Sequence, residues 1–561
     1  MKKSETALIG RLLSWTAVLA TLLVTPWASY DPINVPKLAI LVAGGFAALG
    51  VLLANRADIS KNDYRLFFIL ASGFFIHLTA VLIFSGTNVY QEFFGASGRS
   101  TGYLAYVALL LLYVCAGLSA NIEVLKKFFW SLHIAGMLSV AYGLLQALGL
   151  DPANWSNPYS PVIGFLGNPN FQSSFIGFTG IAIFSNSLSS KMKIYVRIFN
   201  YLFLFLCVLV IKETDSQQGF LVLLGGIAIV LLMWLRQSTI KFLTIPYMAI
   251  AILGTLLVLA GSLNKGPLAF LIYKQSVTYR GDYWRAGWKM TVEHPIFGIG
   301  LDSYGDWYRR ARSLEATLRR GPEIVSNAAH NVLLDLSSTG GLPLVAIYLL
   351  MMLLSLRAGI KFLARTQNFD PIFTGLFAVW VAYQAQSIIS LNQLGLAIWG
   401  WIISGLLVGY EINSRAKSDA LPPKNSRRNK SKVDLKSQRI RASSVLGISL
   451  GMTVGLILGM QPLIASVKYK SAIESGNSKA YMDSANLFPK DFIRIVQVVQ
   501  NLENYGFSNE AIEIARPASR IFPDSFEIWN VYSQLSKASP EELALALRQM
   551  RRLDPNNPNL K

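Results

Sequence analysis

The chain has 561 residues, 53% of them hydrophobic and only 15% charged, and its mean hydropathy is +0.42. So little charge, against roughly 25% in soluble globular domains, excludes an ordinary soluble enzyme. The net charge of +20 is not a nucleic-acid signature, because much of it falls in short linkers between apolar runs, where lysine and arginine are retained in the cytoplasm.

In chain order, Met1-Lys2-Lys3 and Arg11 precede a first apolar run with no small-residue cleavage site. It reads as an uncleaved helix, not a signal peptide. Spans are predicted near 12–29, 37–54, 65–84, 103–120, 128–149, 171–189, 196–211, 219–235, 242–262, 332–356, 372–390, 393–411 and 444–466. Each approaches the ~20 residues that cross a bilayer core. The expected fold is all-α, a polytopic transmembrane bundle of about 13 helices with a large outer loop and a C-terminal helical-repeat domain. The divisions are 1–411 for the bundle, including outer loop 264–329, then 412–443 for a basic linker. A last transmembrane helix follows at 444–466, and a tail at 470–561.

Linkers 55–65, 123–127, 190–197, 236–241, 357–365 and 414–441 are rich in Lys and Arg and are expected in the cytoplasm with the N-terminus. Linkers 29–36, 85–101 and 151–170 are aromatic, Pro/Gly-rich and nearly free of lysine, so they are expected outside. The two sets alternate as an antiparallel bundle requires. Cys115 and Cys207 fall within apolar spans and read as small core residues. The four histidines lack paired spacing, so no metal site is expected.

The exception to the charge pattern is loop 264–329. It lies on the expected outer side yet carries Arg280, Arg285, Arg309, Arg310, Arg312, Arg319 and Arg320 against six acids. Arginine concentrated there points to an anionic ligand such as the diphosphate of a lipid carrier. If 280–289 is helical, Arg280 and Trp284 share a face, an arrangement suited to bidentate phosphate binding. His330, at the mouth of the next span, is a candidate general base, since a neutral imidazole can take a proton from an attacking hydroxyl. Its bland alternative is an interfacial residue ending a helix. His294 is a weaker candidate, and His77 and His133 read as packing residues. Gly298 and Gly300 allow close backbone approach.

Two further polar clusters face the same side. Asn168 and Asn170 open the helix after Gly167, where amides can bind sugar hydroxyls or simply cap. Lys212 and Gln218 lie in the turn 212–219, between two spans.

The linker 413–442, with ten Lys/Arg, two Asp and Pro422-Pro423, reads as a disordered cytoplasmic tether. In the tail, Phe488-Pro489, Phe522-Pro523 and Asp554-Pro555 place proline at spacings of 34 and 32. That period looks like tetratricopeptide repeats. The tail reads equally as a folded end or as a dock for a partner or acceptor.

Several motifs in this order resemble the O-antigen ligase and polymerase superfamily of bacterial glycosyltransferases. They are Asp31-Pro32 with Pro36-Lys37, Gly98-Arg99 with Gly102, Gly167-Asn168-Pro169-Asn170, Arg280-x-x-x-Trp284, Pro295-x-x-Gly298-x-Gly300, and His330-Asn331 before Gly340-Gly341-Leu342. The resemblance covers roughly residues 12–411. It implies a GT-C-like bundle in the bacterial inner membrane that moves a glycan from undecaprenyl diphosphate to an acceptor hydroxyl outside that membrane. By the same resemblance the transfer would be inverting and would need neither metal nor cofactor. Acceptors of the family are lipid A core, a glycan or a protein. Arg280 would hold the diphosphate, His330 would activate the acceptor, and Trp284, Asn168, Asn170, Gln218 and Asn331 would contact acceptor or sugar.

The chain departs from the family at Ser216-Gln217-Gln218-Gly219, where many members carry Ser-Arg-Gly. The missing second arginine would have to be replaced by Arg285, Arg99 or Lys212. A protein O-oligosaccharyltransferase fits within the same superfamily. A transporter or flippase for a lipid-linked anionic sugar is the alternative from another class. It predicts charged or broken mid-membrane helices and inverted repeats, neither of which the sequence displays.

Overall fold

The computed structural model describes residues 3–55, 63–155, 160–419 and 440–560. Ten helices open the chain: α1 (Lys3–Leu22), α2 (Asn34–Ala54), α3 (Arg65–Phe84), the short α4 (Val89–Phe94), α5 (Tyr103–Ser119), α6 (Ile122–Ala147), α7 (Pro169–Ser187), α8 (Ile194–Glu213), α9 (Gln217–Arg236) and α10 (Thr244–Ser262). The segment expected as an outer loop carries four more: α11 (Ala269–Ile272), α12 (Gln275–Glu293), α13 (Tyr304–Ala311) and α14 (Leu314–Arg320). The chain then re-enters the bundle as α15 (Val332–Arg365), α16 (Pro371–Ser387), α17 (Leu394–Asp419) and α18 (Ala442–Gly459). The tail is α19 (Gln461–Ser475), α20 (Ser478–Ser484), α21 (Phe492–Asn504), α22 (Ser508–Ile521), α23 (Phe526–Tyr532) and α24 (Pro540–Leu553).

This is a polytopic helical membrane protein. Nine of the described helices are long and apolar enough to cross a membrane by length and composition. The first expected span shifts toward the N-terminus, because Pro26 disfavours helical backbone before it and α1 ends at Leu22. The last divides at Met460, where Pro462 occupies the first turn of a new helix. Of the tether, residues 420–439 lie outside the described residues.

At the centre of the bundle, α17 buries Trp399 and Trp401, with Phe74, Tyr113 and Tyr348 set around the second indole. Close helix contacts are made through small residues, as expected where lipid offers no hydrophobic drive between helices. Gly447, Gly451, Gly455 and Gly459 recur every fourth residue along α18 and face α2. A Cβ on Gly451 would sit 2.1 Å from the Phe46 carbonyl oxygen, and one on Gly447 would sit 2.4 Å from that of Gly50.

One expectation is overturned. The span beginning at 332 is not continuous but breaks at Gly341, whose φ is +80°, two residues before Pro343. A strap from Pro295 to Gly300 crosses the break and satisfies its backbone. The Ile299 N–H donates to the Ser338 carbonyl at 2.9 Å, and the Leu342 N–H donates to that of Pro295 at 2.8 Å. His77 Nε2 meets the Gly340 carbonyl at 2.9 Å. Gly298 is obligatory because a Cβ there would lie 2.4 Å from the Thr339 carbonyl carbon.

The linkers expected outside gather at one end of the bundle. Asn34 donates to the Gly98 carbonyl, Gly167 packs on Ile33, and Asn88 donates to the Ile521 carbonyl. The tail therefore sits on the same end as helices α11–α14. Its core is formed by Val498, Val499, Ala511, Trp529, Tyr532 and Ala546. Its repeated prolines do equivalent work: Asp491 after Pro489 caps α21, and Ser525 after Pro523 caps α23.

Candidate functional site

One face of helix α12 packs into the protein. Tyr283, Ala286 and Met290 are buried with Tyr304, Tyr308 and Ala329 in a small core of their own. Arg280 and Trp284, one turn apart, share a flank of that helix. Arg280 is half-buried, and among the described residues no carboxylate lies within ion-pair distance of it. Burial pulls its pKa below the usual guanidinium value, opposed by Tyr283. The Trp284 indole N–H is buried without a hydrogen-bond partner.

A second guanidinium completes this flank. Arg320, at the end of α14, lies 4.3 Å over the Tyr279 ring and donates to the Tyr283 hydroxyl. It too has no carboxylate partner among the described residues.

Facing them, the His330 imidazole sits 5.4 Å from the Tyr283 ring. Its backbone is left-handed, with φ of +52°, a conformation a non-glycine residue holds only when its surroundings impose it. The surroundings do so from both sides. The Asn331 side-chain oxygen accepts from the Leu333 and Leu334 N–H groups at 3.0 and 3.1 Å, fixing the start of α15. The Ala329 N–H donates to Asp335 at 2.7 Å, and Arg99 donates to the Asn327 carbonyl. Arg99 is itself buried between Asp302 at 2.9 Å and Asp335 at 3.7 Å. Burial opposes its charge, but the two carboxylates more than offset this and raise its pKa.

Burial first, then the charges of Arg280, Arg99 and Arg320, press the His330 pKa down to about 4. At neutral pH the site thus holds an uncharged imidazole beside two guanidiniums free of carboxylates. It can bind an anion and offer a proton acceptor next to it.

The other expected residues are placed differently. Arg285 pairs with Asp282 at 2.6 Å and is mostly in solvent, and Arg319 reaches the same buried carboxylate at 2.9 Å. Lys212 is exposed against Glu213. Asn168, Asn170 and Gln218 form a knot where α7 and α9 begin. The Asn168 side chain accepts from the Asn170 N–H, Ser216 donates to the Asn170 amide oxygen at 2.7 Å, and Gln218 donates to Ser174 at 3.0 Å. This knot borders the start of α12, since Lys274 donates to the Asp215 carbonyl and Gln217 to that of Leu271. Arg280 follows Lys274 by six residues, about 9 Å along the helix.

The remaining arginines correct the idea that the whole cluster awaits a ligand. Arg309 and Arg312 both meet Asp554 of the tail, at 3.3 and 2.6 Å, with all three side chains buried. Arg309 also lies 4.1 Å over Phe526, and Arg310 pairs with Asp524 at 3.0 Å. Asn556 donates to the Arg312 carbonyl at 2.7 Å. Three of the seven guanidiniums therefore hold the tail. His294 packs edge-on against Trp307 at 4.8 Å.

Sequence reasoning counted Arg320 among the loop arginines without singling it out, and missed Tyr279, Tyr283, Asp302 and Asp335. Tyr279 and Tyr283 stand one turn apart on α12 and were findable from helical spacing. Arg320 and Asp302 were not, because they reach the site through tertiary contacts. Residues 201–349, which span α8 to the break in α15 and include Arg280, Arg320 and His330, match the family model described as O-antigen ligase. No individual curated protein matches the chain.

Proposed function

We infer that this chain, whose residues 201–349 match the O-antigen ligase family model, is a membrane glycosyltransferase that moves a glycan from undecaprenyl diphosphate to an acceptor hydroxyl. The reading is carried by one observation: two guanidiniums without carboxylate partners flank a neutral imidazole. In this reading the end bearing α11–α14 and the tail faces outward from the bacterial inner membrane, where the donor's diphosphate is presented.

Arg280 and Arg320 would bind the diphosphate, each charge-assisted contact being roughly twice as strong as a neutral one. Arg320 takes the place of the missing family arginine. Arg99 is spent on two carboxylates, Arg285 on Asp282, and Lys212 lies exposed on Glu213. The acceptor oxygen attacks the anomeric carbon opposite the leaving group. A carbon–oxygen bond forms, the bond to the diphosphate breaks with its electron pair, and the hydroxyl proton passes to His330. Configuration inverts. The departing charge is met by guanidiniums already in place, so it needs no reorganisation at the moment of reaction.

The same guanidiniums explain how so weak a base could work. Burial is the larger cause of the depression and persists, but Arg280 and Arg320 add to it only while their charge is uncompensated. Bound diphosphate neutralises it and lets the His330 pKa rise. The base gains strength when the donor arrives.

The test is reconstitution with a synthetic undecaprenyl-diphosphate glycan. His330→Ala should form no product, and Arg280→Ala should raise the donor KM. Product from His330→Ala at the native rate would end this mechanism. The glycan profile of a deletion strain assigns the acceptor: altered chain length marks a polymerase, loss from lipid A a ligase, and loss from a protein an oligosaccharyltransferase.

A further inference from the structure

Where the tail meets the bundle there is a recess of about 70 Å³, walled by the Tyr30–Asp31 turn, the stretch after α4 and the tail itself. One water needs about 10–15 Å³, so the recess holds on the order of five, the room taken by one edge of a sugar ring.

Its polar groups are only partly satisfied from within. Asp31 uses one carboxylate oxygen to accept from the Ile33 and Asn34 N–H groups at 3.1 and 2.9 Å. Its other oxygen, Oδ2, is buried with no partner. The Ser97 and Ser100 side chains, on the opposite wall, make no hydrogen bond among the described residues. Across from them Tyr30 and Tyr469 meet edge to face at 4.9 Å. Gln497 fixes this corner by donating to the Tyr30 hydroxyl at 2.7 Å and accepting from that of Tyr469 at 2.8 Å.

The cations at the rim are already engaged. Arg494 donates to the Leu487 and Pro489 carbonyls, and Lys490 donates to Asn486. Asp491 adds a second carboxylate to the lining. Lys490 and Arg494 match the two carboxylates in number, so the lining offers an anion no net positive charge, and its open hydroxyls and aromatic corner suit neutral hydroxyl donors.

We propose that this recess is a saccharide subsite, taking the hydroxyl-bearing edge of a neutral sugar, and that the tail exists in part to complete it. The proposal rests on the transfer reading and adds a second point of hold for a glycan. Its wall is the 95–101 loop that also carries Arg99, whose guanidinium reaches the Asn327 carbonyl three residues before His330. A sugar in the recess is thus one arginine side chain from the catalytic turn, the place for a unit removed from the reacting hydroxyl.

The full chain in phospholipid nanodiscs, with an equimolar mixture of maltotriose, mannotriose and chitotriose, tests this by saturation-transfer NMR without donor. At least one trisaccharide should receive saturation, and inorganic pyrophosphate should not displace it. Ser97→Trp, which fills the recess, should abolish the signal. Asp31→Asn keeps the oxygen that accepts from the backbone and replaces Oδ2 with a donor, so it should weaken binding at least fivefold. No transfer to any trisaccharide at millimolar concentration, or full signal in both variants, overturns the subsite. His330→Ala should bind as the native chain does. Binding without any glycan transfer by the native chain would leave the subsite standing and remove the enzymatic reading instead.

Discussion

Asp554→Ala is the most exacting perturbation of this structure. The carboxylate is fully buried and receives Arg312 at 2.6 Å, Arg309 at 3.3 Å and Asn557 at 3.1 Å. Breaking a buried ion pair by removing one partner costs about 3–5 kcal/mol, because the other charge stays desolvated. Arg309 keeps Glu527 at 3.4 Å, and the two guanidiniums keep bonds to the Pro322 and Ile324 carbonyls. The lower end applies, about 3 kcal/mol, or roughly a hundredfold in the docking equilibrium. Hydrogen exchange reads this directly: amides of α24 and of residues 304–324 should lose protection together, while α15–α17 should not change. Arg312→Leu combined with Asp554→Leu should cost less than the two single changes summed, since Arg312 is then not left without its carboxylate and Arg309 keeps Glu527. Unchanged protection in Asp554→Ala, or a double variant that costs as much as the two singles summed, would refute the claim that these arginines hold the tail.

The pH dependence should split in two. With the free-site imidazole at about 4 rather than 6.5, kcat/KM should fall only near pH 4, whereas the acid limb of kcat should lie higher because bound diphosphate relieves the depression. The same shift makes a stability contribution that is present above about pH 6.5 and is lost as pH falls through about 4, where the folded site finally binds the proton. Arg320→Leu should raise the donor KM and move the kcat/KM limb upward. Arg99→Lys, which loses the two-carboxylate brace, should lower kcat with the donor KM little changed. Gly451→Leu should lower the melting midpoint by forcing α18 off α2, at a cost of about 1–3 kcal/mol or more. Gly254→Leu on α10, where a Cβ meets nothing within 4 Å, should not.

The helical fold was legible because a membrane span announces itself within a single window of sequence. What the windows concealed was local chemistry acting across them. Gly340-Gly341-Leu342-Pro343 carried the signal for a broken α15, yet its resolution depends on the strap at 295–300, more than thirty positions earlier. The helical pairing of Arg280 with Trp284 and the place of His330 were readable from spacing. The fate of the other arginines was not. Arg309, Arg310 and Arg312 look identical to Arg280 and Arg320 in sequence, and only tail acids more than two hundred residues away divide them into structural and free charges. Likewise Gly98-Arg99 resembled a phosphate ligand until Asp302 and Asp335 claimed its guanidinium.

The distance in sequence between Arg312 and Asp554, 242 positions, imposes an order on biogenesis. A ribosome delivers the positive loop long before the negative side chain that will quench it. Until then Arg309 and Arg312 have the Pro322 and Ile324 carbonyls of their own loop, but not the tail carboxylates that meet them in the folded chain. The glycine seam that seats α18 on α2 thus also fixes where on the rim those late carboxylates arrive.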